Sequence, residues 1–393
     1  MGIEIRAPHD DDVEALFHAD ARAFGSHYPQ ERIAEQLTVM DLSRYRIAVD
    51  GDEVVGVIGS YALDVTVPGG TTMPMGAVTW VGVAATHRRQ GVLRRMMDAC
   101  HADIDERGEP VAMLFASESA IYERFGYGMA SMVWVVEIRT HEATLRPELV
   151  PPAGSVRFVR GDAAALHVAA TWERYRRTRP GETSRSEALH ALQHGDRTRE
   201  RGGDAPAWFL AHADGYAVYR IVQHWNDGHP AHDLQLLEIV AITPDAHAAL
   251  WHVLLNIDLV GTIRSRQLPL DDPLPYLLTN PRAVRTTGLN DGIWVNVRDV
   301  PVCFGTRTYA TDDRFVVEVD GTRYAIGSGA VSRVRSRPDL VAEPSAMGAL
   351  LLGGVSPTQL ARGRRLRART DDVLRRAELF FTTPIAPLSQ TAY

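Results

Sequence analysis

The chain has 393 residues, 42 basic and 49 acidic side chains for a net charge of −7, a hydrophobic content of 45% and two cysteines, Cys100 and Cys303. That length supports two or three separate cores. The acidic balance argues against nucleic acid as a partner, no apolar run is long enough to span a bilayer, and a lone, distant cysteine pair fits the reducing cytosol, so a cytoplasmic protein is expected. Every basic residue is arginine, and residues 1–150 hold 23 acids against 13 arginines, a balance of −10, where the remainder carries +3. Long-range steering would favour a cationic small molecule near that first part.

In chain order, Ile3-Glu4-Ile5 reads as a short strand, and Asp10 to Asp12 cap a helix containing Val13, Leu16, Phe17 and Phe24. Ile33, Leu37 and Met40 mark a second helix. Tyr45–Val49 and Val54–Ser60 alternate as strands around Asp50-Gly51-Asp52, and Leu63–Val67 is expected as another. Ala77–Val83 is an apolar, β-rich run. Leu93, Met96, Met97, Cys100 and Ile104 then fall at helical spacing, so a helix begins near Gly91. Val111–Ala116 is continuously apolar, as in a strand buried on both faces. Ile121–Phe125 is a short helical segment broken by Gly126-Tyr127-Gly128, and Met132–Ile138 returns as a strand. Pro147, Pro151, Pro152 and Gly154 mark a linker. The α/β pattern then restarts through Ala207–Leu210, Tyr216–Val222 and Leu234–Ile242. A helix opens at Thr243-Pro244-Asp245, where Asp245-x-x-Ala248 takes the place of an earlier Arg88-x-x-Gly91. The last hundred residues offer a hairpin around Asp320-Gly321, an apolar helix near Met347–Leu352, a capping box at Ser356-Pro357-Thr358-Gln359 and a helix from Thr370 to about Phe380.

The chemistry concentrates between Val81 and Met97. A buried strand feeds a helix through a tight arginine-rich turn, which aims unpaired backbone N–H groups and the positive end of the helix dipole at one point. Such a turn suits a pyrophosphate. The run Arg88-x-x-Gly91-x-Leu93 resembles motif A of the GNAT acetyltransferases, and Thr86-His87-Arg88-Arg89-Gln90-Gly91-Val92-Leu93-Arg94-Arg95 is more similar to one branch, the Eis-like N-acetyltransferases. The resemblance implies two tandem GNAT-like domains, α/β, at 1–150 (catalytic) and 151–290 (degenerate), followed by a sterol-carrier-protein-like α+β domain at 291–393. It also implies acetyl-CoA as cosubstrate and a homo-oligomer, a hexamer; the histidines show no metal-type spacing, so no metal is expected.

On the same resemblance, backbone groups of Val81, Gly82 and Val83 hold the acetyl-pantetheine arm. The turn Arg89, Gln90, Gly91, Val92, Leu93 and Arg94 holds the pyrophosphate, and Ser117 and Glu118 are further cofactor contacts. Tyr122, in Ile121-Tyr122-Glu123-Arg124-Phe125-Gly126-Tyr127, matches the proton donor, and the terminal carboxylate of Tyr393 matches the proton acceptor. Tyr127 reads as core and His87 as structural or solvent-facing. The expected activity is acetylation of amines on polycationic small molecules such as aminoglycosides. Two alternatives stand beside it, a protein or peptide lysine acetyltransferase and a non-catalytic lipid-binding protein.

Overall fold

The computed structural model describes residues 2–195 and 206–393. They form two compact units. One comprises the chain through Ala130 with Ile293–Pro384 and Ala392–Tyr393, and the other comprises Ser131–Gly292 with Ile385–Thr391.

The first unit is built on a seven-stranded sheet. Glu4–Arg6, Arg46–Asp50, Glu53–Thr66 and Thr72–Val83 are antiparallel neighbours, and Val111–Phe115 joins parallel to the last of these. Glu53–Thr66 is one strand where two were expected. Gly59 does not break it. The Tyr45 ring lies across the backbone there, and a Cβ on Gly59 would stand 2.3 Å from it. Helix Val13–Phe24 buries Leu16 and Phe17 with Tyr45 and Trp80. Helix Val92–Glu106 buries Met96, Met97, Cys100 and Ile104 in a separate cluster, at the spacing its sequence predicts.

The C-terminal part of this unit carries a five-stranded sheet, ordered Ala330–Arg333, Thr322–Gly327, Arg314–Val319, Leu340–Ala342 and Leu366–Ala368. Its hairpin turns on Asp320 and Gly321, with φ of 45° and 74°, the left-handed pair that the expected two-residue turn needs. Helix Pro344–Leu351 packs on the strands Ile293–Val297 and Gly128–Met129 at backbone distance. A Cβ on Gly348 would lie 1.9 Å from the Val295 carbonyl oxygen, and one on Gly128 would lie 1.8 Å from that of Ser345. The capping box of Ser356 and Gln359 is formed.

The second unit has its own seven-stranded sheet, ordered Val284–Asp291, Met132–Arg139, Val260–Leu268, His232–Ala241, Gly215–Val222, Trp208–His212 and Arg157–Val159. Two strands depart from the division expected at residues 150 and 290. Met132–Arg139, expected to close the first domain, pairs with Val260–Leu268 and Val284–Asp291 in the second sheet. Ile293–Val297, expected in the third domain, lies in the first sheet between Val111–Phe115 and Gly128–Met129. Each is an apolar segment able to fill the same slot beside a parallel strand, and its pattern alone does not say which slot it takes.

The second unit encloses a polar centre. Glu238, fully buried, accepts hydrogen bonds from Arg185 (2.7 Å), Tyr216 (2.7 Å) and Gln193 (3.2 Å), and His194 Nε2 lies 2.8 Å away. Burial penalises its charge, but Arg185 and His194 outweigh that and hold the carboxyl below its ordinary range. Beside it the tail Ile385–Thr391 is tied down. Glu182 accepts from the Gln390 amide at 3.0 Å, Arg185 donates to Thr391 Oγ1 at 2.9 Å, and the Leu388 amide donates to the Pro180 carbonyl at 3.0 Å. Burial pushes the Glu182 carboxyl up to about 7, against the pull of Arg185 and the Gln390 amide.

Candidate active site

The site begins with a defect in a strand. Thr72–Val83 keeps its antiparallel register with Glu53–Thr66 until an extra residue is accommodated near Trp80, which adopts a left-handed φ of 57°. A bulge bends and twists its strand. On the other edge, pairing with Val111–Phe115 stops at Ala77 and Met113. Leu114 and Phe115 continue the ladder only with Trp294 and Ile293. The two parallel strands therefore part, and the edge of Val78–Val83 facing the gap has no ladder partner.

That gap opens into a cleft of about 840 Å³. Of the residues expected at the cofactor, Val81, Gly82, Val83, Arg89, Gly91, Val92, Leu93, Arg94, Ser117 and Glu118 all line it, and so does Tyr122. Gln90 does not. Its amide donates to the Thr86 carbonyl at 3.3 Å and its side chain is exposed.

At one end of the cleft lies the start of helix Val92–Glu106. Arg89 and Gly91 both have positive φ, 64° and 79°, which folds the turn back so that Gly91 becomes the N-cap. The first amide to find a helical partner is that of Arg95, donating to the Gly91 carbonyl. No side chain caps the helix and no acid occupies its first turn, so the amides of Val92, Leu93 and Arg94 remain available. A Cβ on Gly91 would meet nothing within 4 Å. Glycine is needed there for its left-handed backbone and not for close packing. Arg88 reaches across to Glu118, 3.8 Å away, with both side chains well exposed. His87 also lines the cleft, its Nε2 lying 3.2 Å from Asp50 and its Nδ1 2.8 Å from Thr86 Oγ1.

The helix at the corresponding place in the second unit, Pro244–Leu255, is built the opposite way. Thr243 caps it by accepting from the Ala246 amide, and Asp245 sits in its first turn. The structural counterpart of Gly91 is thus the cap Thr243. Ala248, the counterpart by spacing, is buried inside the helix. A self-capped, acidic helix start offers no anion site.

Tyr122 sits between two single-turn 3-10 segments, Ser119–Ile121 and Glu123–Phe125, and is 5% exposed. Burial, with a smaller contribution from the Glu118 charge, pushes its phenol up to about 12. At neutral pH it is a donor only. Its ring meets Tyr127 edge-on at 6.0 Å, and the Tyr127 hydroxyl is 3.0 Å from His101 Nε2. Tyr127 is fully buried, as expected of core. Tyr393 is not among the residues lining the cleft. Its ring packs on Phe115, 5.2 Å between centroids, at the end of the strand that leads into Ser117.

The sequence reading missed Ala23 and Phe24. Phe24, read from the sequence only as part of its helix, is 49% exposed and lines the cleft. The available signal was its position as the last helical residue before left-handed Gly25. Arg88 and Arg124 also line the cleft.

Residues 4–130 and 169–298 each match an acetyltransferase (GNAT) domain family, and residues 307–389 match a sterol carrier protein domain family. Over the full length of both chains, the sequence is 35% identical to N-acetyltransferase Eis of Mycobacterium tuberculosis. The chain belongs to the Eis-type GNAT N-acetyltransferases. An uncharacterized N-acetyltransferase of Streptomyces avermitilis is 34% identical across 98% of each chain. The crystal structure of Eis1 from Mycobacterium abscessus matches with a TM-score of 0.89 at 31% identity, covering 99% of this chain and 100% of that one. This Eis-type chain is therefore an acetyltransferase with two GNAT domains followed by a sterol-carrier-like domain, the mixed α/β and α+β composition its sequence predicts. Among the described residues no group of three or more His, Cys, Asp or Glu side chains is placed to hold a metal, and no helix is long and apolar enough to cross a membrane.

Proposed function

We propose that this protein transfers the acetyl group of acetyl-CoA to an amine of a polycationic small molecule, aminoglycosides above all. The observation that carries the reading is the parting of Thr72–Val83 from Val111–Phe115 over an uncapped, arginine-rich helix start, with a buried phenol lining the same cleft. Acetyl-CoA supplies the activated thioester. The free edge of Val81, Gly82 and Val83 pairs with the extended pantetheine arm as an added strand would. The Val92, Leu93 and Arg94 amides, with Arg89 and Gly91 shaping the turn, receive the pyrophosphate. Gln90 shapes the turn from outside, and Ser117 and Glu118 border the arm. Tyr122 donates its proton to the departing sulfur. Burial keeps the phenol protonated at neutral pH; because a thiolate of ordinary pKa about 8.5 is a weaker base than a phenolate near 12, Tyr122 acts first by donating a hydrogen bond to the charge developing on sulfur, with transfer completed only as the C–S bond breaks.

The terminal carboxylate of Tyr393 is the proposed acceptor. A carboxylate with an ordinary pKa of about 3.5 is a weak base, so it works by drawing in the substrate ammonium and relaying its proton through water. We also propose a homohexamer, to be checked by sedimentation. A cytoplasmic location is in keeping with two free, buried cysteines.

The test is thiol release from acetyl-CoA with kanamycin-type amines and with lysine peptides as acceptors. Release with the amines is expected. Release with peptides alone would replace the substrate class while keeping the chemistry. No release with any amine, in a protein that binds acetyl-CoA, would overturn the reading.

A further inference from the structure

Two one-turn segments are a poor support for a proton donor. The turn around Tyr122 has backbone hydrogen bonds from the Phe125 and Tyr127 amides to the Tyr122 carbonyl, at 3.0 and 3.3 Å, and neither 3-10 segment has a side-chain cap. Two groups from far along the chain supply what is missing.

The first is Asn296, on the strand Ile293–Val297. It is 4% exposed, and its Nδ2 donates to the Phe125 carbonyl at 2.6 Å. The fit is close. A Cβ on the adjacent left-handed Gly126 would stand 3.2 Å from the same nitrogen. The second is Arg365. Its Nη2 lies 2.7 Å from Glu123 Oε1 and its Nη1 lies 2.9 Å from Glu343 Oε2, so one guanidinium ties the residue after Tyr122 to the C-terminal sheet and helix.

We propose that Asn296 and the Glu123–Arg365 pair are positioning residues for Tyr122, so that the sterol-carrier-like domain and the strand leading into it set the geometry of acetyl transfer in the first GNAT domain. This rests on Tyr122 being the proton donor. The contact is to the backbone of the turn on one side and to its exposed acid on the other. Together they fix the rotation of the segment from which the phenol projects. A shift of about 1 Å in such a group can cost a hundredfold in rate.

A residue that acts through Tyr122 has nothing left to act on once the phenol is gone. Asn296→Ala is made in the wild-type protein and in Tyr122→Phe, and kcat and CoA affinity are measured in all four proteins. The expected result is a fall in kcat of about tenfold in the wild-type background, an unchanged Kd for CoA, and no further fall in Tyr122→Phe. Glu123→Ala should show the same dependence with a smaller loss. It decides the matter by itself if Asn296→Ala does not fold, since Glu123 is 42% exposed. Equal losses in both backgrounds, or full kcat in both single variants, would overturn the inference while leaving the proton donor in place. Wild-type turnover in Tyr122→Phe alone would overturn the proton-donor reading, and this inference with it.

Discussion

At the scale of single residues, the site divides into groups that a short motif brings to the cleft and groups whose environment had to be seen. Tyr122→Phe keeps the ring and removes the proton. A fall in kcat of about 10²-fold is expected, with acetyl-CoA affinity unchanged by equilibrium binding. Because burial holds the phenol near 12, no loss of kcat traceable to its ionisation should occur below about pH 10. Gly91 makes a sharper case. Its Cβ would point into open space, so Gly91→Ala tests only the left-handed backbone, while Gly91→Asp adds a negative charge at the helix start. The alanine variant should bind acetyl-CoA only a few-fold more weakly, from backbone strain of roughly 1 kcal/mol alone. The aspartate variant should bind about tenfold more weakly or worse, from like charge added to backbone strain. Equal weakening in both, by calorimetry, would mean the turn is not the anion site. Gly91, Arg89 and Tyr122 were legible because a short motif names them. Asn296 was not, since a contact between distant segments leaves no mark in local pattern, and Phe24 offered only its place at the helix end before Gly25.

At the scale of elements, most helices and strands follow from periodicity, and the departures have identifiable causes. Glu53–Thr66 runs unbroken because Gly59 serves the Tyr45 ring and not a turn. The two strands that changed sheets could not have been assigned, because pairing choice resides in a partner's edge. The bulge at Trp80 was equally silent, yet it separates the strands that form the cleft. Packing of Pro344–Leu351 on the first sheet depends on glycine at both sides of the contact. Gly348→Ala forces a methyl group against the Val295 carbonyl. A destabilisation of roughly 1–3 kcal/mol or more is expected from overpacking, read as a lower midpoint in urea. An unchanged midpoint would mean the helix can lift at no cost.

At the scale of the whole molecule, the tail joins what the domain expectations kept apart. Leu388, Ser389, Gln390 and Thr391 are buried in the second unit, and Tyr393 packs against Phe115 in the first. Extending the chain beyond Tyr393 by a short tag should lower kcat/KM for amines at least tenfold, the lower part of the range for a displaced acid–base group, with CoA binding intact. Full kcat/KM in the tagged protein would remove the carboxylate from the mechanism.

The tail's anchorage should also respond to pH. Glu182, raised from 4.5 to about 7, contributes stability that is fully present below about pH 4.5 and is lost as pH rises through about 7. His190, lowered from 6.5 to about 4 by burial, acts in the opposite sense, with stability present above 6.5 and lost as pH falls through about 4. Comparing Glu182→Gln with wild type cancels the histidine. Hydrogen-exchange protection of the Gln390 amide should therefore fall in wild type, relative to the variant, between pH 5 and 8. Parallel curves would show that Glu182 does not change charge over that range.

The late arrival of Ile293–Val297 in the first sheet has a consequence for how the protein is made. Synthesis proceeds at about 5–20 residues per second. The edge of Val111–Phe115 that this strand covers therefore stays open on the order of ten seconds or more after it has emerged, while Ser131–Gly292 of the second unit is being translated. An uncovered apolar edge strand is a template for pairing with other nascent chains. The first sheet cannot be finished first and the rest appended. Its completion waits on the second unit, and a cell making this enzyme must keep that edge apart from its neighbours until residue 297 has left the ribosome.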